Sequence, residues 1–421
     1  MTSLTPRREM AAMTSTSAPD WAARFSERMS RVHANEIREL LKLLDQPDII
    51  SFAGGIPDPS LFPAARIQEG YDQILANPVL AAQALQYSVS EGYLPLRQWI
   101  AERMTLGGMP CDEHNILVTA GSQQALDLIG KLFISRGDTV IVARPTYLGA
   151  LQAFSAYEPD YLDLPERALT DGVDAEALME GRSPGPLGYF VPDFANPTGR
   201  SLSLDEREAL LDLADRLDMT LIEDAAYREL RFAGDALPTL LSLDIARASS
   251  VEAARTLFCG TFSKTISPAL RMGWVCGPRA VIEKLVLLKQ GADLHVSTIN
   301  QMVAYRAVSE GYEQHLGMLR NAYGAKARTL LAALERHMPG GVSWTRPQGG
   351  MFVWLTLPEG MDGKLLLERA LAEERVAFVP GAPFFAEVPA TNAIRLSYSL
   401  PSEAQINDGV ARLARLIERM A

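Results

Sequence analysis

The sequence predicts an α/β protein: a three-layer unit with a mostly parallel sheet, joined to a smaller α+β unit. Three observations carry this. After Pro110, short apolar runs suited to strands alternate with helical periodicity, the pattern of a sheet covered by helices on both faces. The runs Arg255–Cys259 and Met272–Cys276 are joined by a Ser/Pro-containing loop without helical periodicity, so one strand is expected to be antiparallel. From Val342 the texture changes to short strands interleaved with helices, and 421 residues are enough for two domains.

Residues 1–20 are rich in Ser, Thr, Pro and Met, lack a signal-peptide core, and read as a disordered tail. Trp21–Leu44 has helical periodicity, with Ile37, Leu40, Leu41 and Leu44 on one stripe and Arg38 off it. Ile49–Pro59 is a short strand running into a turn, where Gly54 and Gly55 permit close backbone approach. A helix over 64–76, a loop over 85–93 and a helix over Leu94–Thr105 follow. The alternating region reads as strands Ile116–Thr119, Val140–Ala143, Tyr161–Leu164, Gly188–Val191 and Thr220–Ile222. Helices Gln123–Ser135, Tyr147–Ala156 and Leu204–Leu217 lie between them. Arg279–Leu334 is a long helical region. The last strands are Met351–Leu355, Val376–Val379 and Ile394–Ser397. The expected division is a large domain over 62–315 and a small one made of 21–61 with 316–421.

With 48% hydrophobic and 22% charged residues the composition is that of a soluble globular protein, and the net charge of -11 argues against a nucleic-acid surface. No run of about 18 apolar residues exists, so no transmembrane helix is expected. Cys111, Cys259 and Cys276 lack metal-ligand spacing; no metal is expected, and a sparse cysteine set suits a reducing cytoplasm.

The chemistry centres on Gly260-Thr261-Phe262-Ser263-Lys264, followed by Pro268 and Arg271-Met272-Gly273. A lysine just past a buried strand loses water, and desolvation favours its neutral, nucleophilic amine. Thr261, Ser263 and Arg271 are groups that grip a phosphate. A nucleophilic lysine beside a phosphate anchor points to pyridoxal 5'-phosphate bound as a Schiff base. The alternative is a solvated loop lysine.

Other residues at strand ends extend the pattern. Gly121-Ser122-Gln123 opens a helix whose N-terminus favours a phosphate, although Ser122 alone would serve as a cap. Asp224 would keep a pyridine nitrogen protonated and Tyr227 would bond the ring oxygen; a second helix cap is the plainer reading. Asn196-Pro197-Thr198-Gly199 is either an amide donor to that oxygen or an ordinary turn. Tyr147 either stacks on the ring or fills the core. Arg395, flanked by apolar residues on a strand, either captures a substrate carboxylate or lies at the surface.

This ordered set resembles the class I/II aminotransferases of pyridoxal-phosphate fold type I, over nearly the whole chain from about Ser30. Within them it looks most like the 2-aminoadipate and kynurenine aminotransferases, through the runs Glu36–Leu43, Ser51–Gly55, Thr119–Asp127, Lys289–His295 and Pro347–Trp354. The resemblance implies that Lys264 carries the cofactor and that Asp224 pairs with the ring nitrogen. It also implies that Asn196 and Tyr227 hold the ring oxygen, and that Tyr147 stacks on the ring. Ser122, Gln123, Thr261, Ser263 and Arg271 would hold the phosphate, joined by Tyr87 from the neighbouring subunit of a homodimer with shared sites. Gly55, Asn196 and Arg395 would take the substrate carboxylate. Arg38 would meet the distal carboxylate of 2-aminoadipate or glutamate, or else be a solvated helix arginine. An amino acid and a 2-oxo acid are the implied substrates, in a ping-pong reaction.

Two departures stand out: Thr261 where many relatives carry serine, and the acidic lead-in Asp193-Phe194-Ala195, which bears on substrate preference. Two other classes share the cofactor pattern. One is a β-lyase or decarboxylase. The other is an amino-acid sensor of the kind fused to a DNA-binding module, for which fewer than about 30 preceding residues leave too little chain.

Overall fold

The structure, a computed structural model, describes residues 19–32, 48–172, 174–182 and 185–421. In chain order its strands are β1 (Ile50–Ser51), β2 (Ile116–Thr119), β3 (Thr139–Arg144), β4 (Asp160–Pro165), β5 (Leu187–Phe190), β6 (Thr220–Asp224), β7 (Thr256–Thr261), β8 (Gly273–Cys276), β9 (Ser343–Trp344), β10 (Phe352–Thr356), β11 (Val376–Ala377), β12 (Val379–Pro380) and β13 (Ala393–Ser397).

The central sheet has the order β2-β8-β7-β6-β5-β3-β4. Pairs β3–β4, β3–β5, β5–β6 and β6–β7 are parallel, whereas β8 runs antiparallel to both β2 and β7. The expected antiparallel strand is therefore present. Its cause is local: after β7 the chain turns back within residues 262–272, with Phe262 N donating to Met272 O at 3.0 Å. That return leaves no room for a crossover helix, and Lys264 sits in it.

Alternate residues of each strand pack on opposite faces. Leu117, Val142, Tyr189, Ile222, Leu257 and Cys259 join one core with helices Ser122–Phe133, Leu148–Ser155 and Arg279–Gln290. On the other side, Ile141, Leu164, Phe190 and Leu221 meet helix Leu204–Leu217, while Ile116, Val118 and Phe258 meet Leu94–Leu106. Cys259 and Cys276 are buried and free, as core residues. The C-terminal part holds a four-stranded sheet, β12-β13-β10-β9, with helices Gly363–Arg369 and Glu403–Met420. β1 pairs in parallel with β11, which draws the segment after Ser51 into this unit. Helix Tyr312–His337 is continuous across residues 315–316. No described helix is long and apolar enough to cross a membrane.

Several expectations need correction. Over Trp21–Val32 the chain forms two 3-10 turns, Ala22–Arg24 and Glu27–Arg31, with no buried residue. An isolated helix of this length gains little without packing, and Trp21, Phe25 and Met29 are exposed. The rest of that expected helix, with its stripe, lies outside the described residues, as do residues 1–18 of the expected tail. Helix Pro78–Ala84 is not among the expected elements, although Asn77 caps it through Val79 N and Leu80 N and proline opens it. The run Val376–Val379 is two strands serving different sheets, divided at Phe378. The long region after Arg279 is three helices: Arg279–Gln290, Thr298–Ser309 and Tyr312–His337.

Asp193 is a structural hub. Its carboxylate accepts from Arg207 at 2.9 Å, Arg228 at 2.7 Å and Arg231 at 3.1 Å, and Arg207 is fully buried. Arg207 also donates to the carbonyls of Pro192, Leu202 and Pro238. The acidic lead-in therefore faces arginines and anchors the loop that carries Asn196. Burial raises the carboxyl pKa, but Arg207 and Arg228 outweigh it and hold Asp193 below its ordinary 3.8. A lowered folded-state pKa contributes stability above the unfolded value, lost only as pH falls through the folded one. At neutral pH, Asp193→Ala should cost about 3–5 kcal/mol by leaving Arg207 uncompensated. The thermal unfolding midpoint should fall clearly; an unchanged midpoint would remove the cluster from the supports of the fold.

Candidate active site

The loops at the carboxyl ends of β2, β3, β5, β6 and β7 enclose a cavity of about 150 Å³. Such ends are where open parallel sheets leave a crevice. Ser122, Gln123, Tyr147, Asn196, Asp224, Tyr227, Thr261, Ser263, Lys264 and Arg271 all line it, so most of the predicted residues meet in one place. A larger cleft of about 810 Å³, with Trp99, Arg103, Trp274 and Arg320 in its walls, gathers none of them.

Lys264 donates to Gly55 O at 3.1 Å, and its ammonium lies 5.8 Å from the Tyr227 ring centre. Burial, then the nearby Arg395 and Arg271 charges, push its pKa down to about 8, with Asp224 opposing. Lys264 is thus not the solvated loop lysine of the plainer reading. Asp224 ends β6. Its Oδ2 accepts from the Tyr189 hydroxyl at 2.8 Å, while its Oδ1 is buried with no partner among the described residues. Burial raises this carboxyl to about 6, against the Tyr189 hydrogen bond, the Ala226 amide and Lys264. Tyr227 is buried edge-on to Phe352, and burial pushes its hydroxyl well above the ordinary phenol value.

On the phosphate side, Gly121 rather than Ser122 is the N-cap of helix Ser122–Phe133. Gly121 has φ +83°, and a Cβ there would lie 2.6 Å from Arg271 Nη2, so glycine is what lets the guanidinium approach. Arg271 donates to Ala120 O at 2.9 Å. Thr261 Oγ1 lies 2.9 Å from Ser263 Oγ, and Ser263 N donates to Thr261 Oγ1 at 3.1 Å. Gln123 donates to Gly149 O at 2.7 Å, in the helix that Tyr147 caps. Cis peptides precede Pro145 and Pro197.

Arg395, on β13, is buried rather than superficial. Its Nη1 donates to Asn196 Oδ1 at 2.7 Å and its Nη2 to Ala53 O at 2.8 Å. The rings of Phe352 and Phe384 lie 4.4 Å and 5.2 Å from its guanidinium carbon. Among the described residues Nε is buried without a partner, and burial pulls the guanidinium pKa down to about 10. Gly55 has no room for a Cβ, which would stand 2.8 Å from Phe352.

Two predicted residues are not in this assembly. Tyr87 is 79% exposed and stands edge-on to His295 at 5.9 Å, apart from its own chain's cavity. Arg38 lies outside the described residues. Sequence reasoning also misses Tyr189, Phe352 and Phe384. Tyr189 reads only as part of an apolar strand; its link to Asp224 follows from the register Tyr189↔Ile222 between neighbouring strands.

The donor set fits pyridoxal 5'-phosphate. The Asp224 Oδ1, partnerless among the described residues, could accept a hydrogen bond from a protonated ring nitrogen, and the amine of Lys264 could meet an aldehyde. Hydroxyls, a guanidinium and a helix N-terminus could hold a phosphate.

Comparison with known proteins agrees. The model of the family "Aminotransferase class I and II" matches residues 64–413. Aromatic-amino-acid aminotransferase 1 of Thermococcus litoralis is 41% identical, covering 95% of each chain. The 2-aminoadipate transaminase of Thermus thermophilus is 43% identical, covering 94% of this chain and 97% of its own. The crystal structure of the α-aminoadipate aminotransferase LysN from Thermus thermophilus, complexed with N-(5'-phosphopyridoxyl)-L-leucine, superposes with a TM-score of 0.85. It is 40% identical, and the match covers 96% of this chain and 99% of that one. The chain belongs to the class I and II aminotransferases, enzymes that move amino groups with pyridoxal 5'-phosphate as cofactor.

Proposed function

We propose that this aminotransferase moves an amino group between an L-amino acid (2-aminoadipate, glutamate, aromatic or branched aliphatic) and a 2-oxo acid such as 2-oxoglutarate. The observation that carries the reading is the convergence of Lys264, Asp224 and Asn196 on one cavity, with the Arg395 guanidinium behind Asn196. The substrate classes are supported by the relatives, one named for aromatic amino acids, one for 2-aminoadipate, and one crystallised with a leucine derivative.

When bound, pyridoxal phosphate supplies an aldehyde for the amino group and a ring that withdraws electrons from the α-carbon. Arg395 takes the α-carboxylate, with Gly55 keeping the approach open. Lys264, its ammonium pushed down to about 8, supplies enough neutral amine near neutral pH to take a proton from the α-carbon and return it elsewhere. Asp224 Oδ1 holds the ring-nitrogen proton. Asn196 Oδ1 is committed to Arg395, so its Nδ2 is the donor left for the ring oxygen, together with the Tyr227 hydroxyl. Tyr147 stacks on the ring. Ser122, Gln123, Thr261, Ser263 and Arg271 grip the phosphate.

Tyr87, exposed on its own chain, joins the phosphate of a second copy, which makes the working unit a homodimer. The large domain is 62–315 and the small one 21–61 with 316–421, sharing helix Tyr312–His337. Three free cysteines suit a cytoplasmic enzyme. Arg38 meets a distal carboxylate.

The cofactor-loaded protein should show a visible absorbance band that moves to the near ultraviolet with L-glutamate or L-2-aminoadipate and returns with 2-oxoglutarate. A band indifferent to every amino acid would sink the reading. In the same assay Lys264→Ala should bind cofactor without turnover, and Arg38→Ala should lose more activity on 2-aminoadipate than on phenylalanine. Cofactor-free protein should capture pyridoxal phosphate at a rate that rises with pH through a midpoint of about 8, because the neutral amine appears there; a midpoint near 10.5 would mean an ordinary lysine. Its solution mass should be that of two chains, and a monomer active at every dilution would remove Tyr87 from the site.

A further inference from the structure

We infer that Tyr189 is a positioning residue for Asp224: its hydroxyl engages one carboxylate oxygen and so presents the other, Oδ1, to the ring nitrogen of the cofactor. The inference rests on the cofactor reading above. Tyr189 lies on β5, beside β6, and is fully buried. Its ring packs edge-on against Phe154 at 5.9 Å and lines the same cavity as Asp224. Its hydroxyl is 2.8 Å from Asp224 Oδ2. A phenol carries one proton, and burial holds this one far above its ordinary pKa, so at working pH it stays a donor. With Oδ2 engaged and the Ala226 amide also on the carboxylate, Oδ1 is the buried oxygen left without a partner among the described residues.

This matters because burial works against the charged form. Asp224 stands at about 6, and the Tyr189 hydrogen bond is the largest influence holding it below what burial would otherwise impose. The other titratable groups facing this centre are Lys264 from the turn after β7, Tyr227 after β6, Tyr147 after β3 and Cys259 on β7. Lys264 favours the carboxylate from across the cavity; Tyr189 does so by contact. Its competing role is simple filling of the core, in which a buried hydroxyl takes the nearest acceptor.

Tyr189→Phe separates the two roles, since it keeps the ring and removes only the donor. The readout is the dissociation constant of pyridoxal phosphate for cofactor-free protein, by equilibrium titration. We expect it to rise about tenfold at pH 7, the scale of a hydrogen bond to a charged group. Losing the donor lets the Asp224 carboxyl rise further, so the loss should be larger at pH 6.5 than at pH 8.5. In an Asp224→Asn background the same substitution should change the constant little. A dissociation constant and pH dependence matching the wild type, whatever happens to thermal stability, would overturn the inference and leave Tyr189 a core residue. An equal loss in the Asp224→Asn background would overturn it too. Wild-type protein that binds no pyridoxal phosphate would instead overturn the site reading beneath it.

Discussion

The hydrogen bond from Arg395 to Asn196 joins parts of the chain 199 residues apart, and the geometry of the site depends on it. A buried guanidinium is costly to desolvate. Here the cost is offset by Asn196, the Ala53 carbonyl and two aromatic faces, each from a different segment. Each contact constrains its donor segment. Asn196 is steadied from behind by the Asp193 hub, and Ala53 by the strand-like run that follows β1. Phe352 and Phe384 belong to the C-terminal unit. One arginine therefore fixes the relative placement of the sheet, the segment after β1 and the small sheet.

The electrostatics of the cavity follow from the same enclosure. Burial moves the ammonium of Lys264 down and the carboxyl of Asp224 up, so each is drawn toward its neutral form. The pKa of the ammonium lies above neutral pH and that of the carboxyl below it, so the charged form of each still predominates there. Burial is the main cause for both, and local groups contribute: Arg271 from the same return as Lys264, and the Ala226 amide beside Asp224. Arg395 and Tyr189 are brought in by the fold.

Much of this is legible in the sequence. Leu204–Leu217 has the bounds its sequence predicts, since Ser203 and Glu206 form a capping box and the apolar face has helical spacing. Most strands of the central sheet differ by one or two residues at their ends. Lys264, Asp224 and Asn196 stand out because each lies at or within six residues of the end of an apolar strand run, a local signal. What escapes depends on contacts between distant segments. Val376–Val379 looks like one strand, yet its halves pair with β1 and with β13. Tyr189 reads as any strand aromatic until its register against β6 is known. Trp21–Val32 has helical spacing, but it buries no residue; Glu27 pairs with Arg136 and Arg31 donates to Pro159 O, polar contacts that supply no apolar face for a helix to pack on. Periodicity states what an element can bury and is silent on whether a partner arrives.

The segment after β1 shows how the two halves of the chemistry are linked. Pairing of β1 with β11 commits it to the small unit, and its Phe52 amide and carbonyl bond Ala377 and Ser397. Three residues beyond Phe52, Gly55 O receives the Lys264 ammonium, which belongs to the large sheet. Ala53 O, in the same segment, receives Arg395. The group that would move the proton and the group that would hold the substrate carboxylate thus lean on one short stretch of backbone. Lys264 and Arg395 therefore share one backbone support, the carbonyls of Ala53 and Gly55.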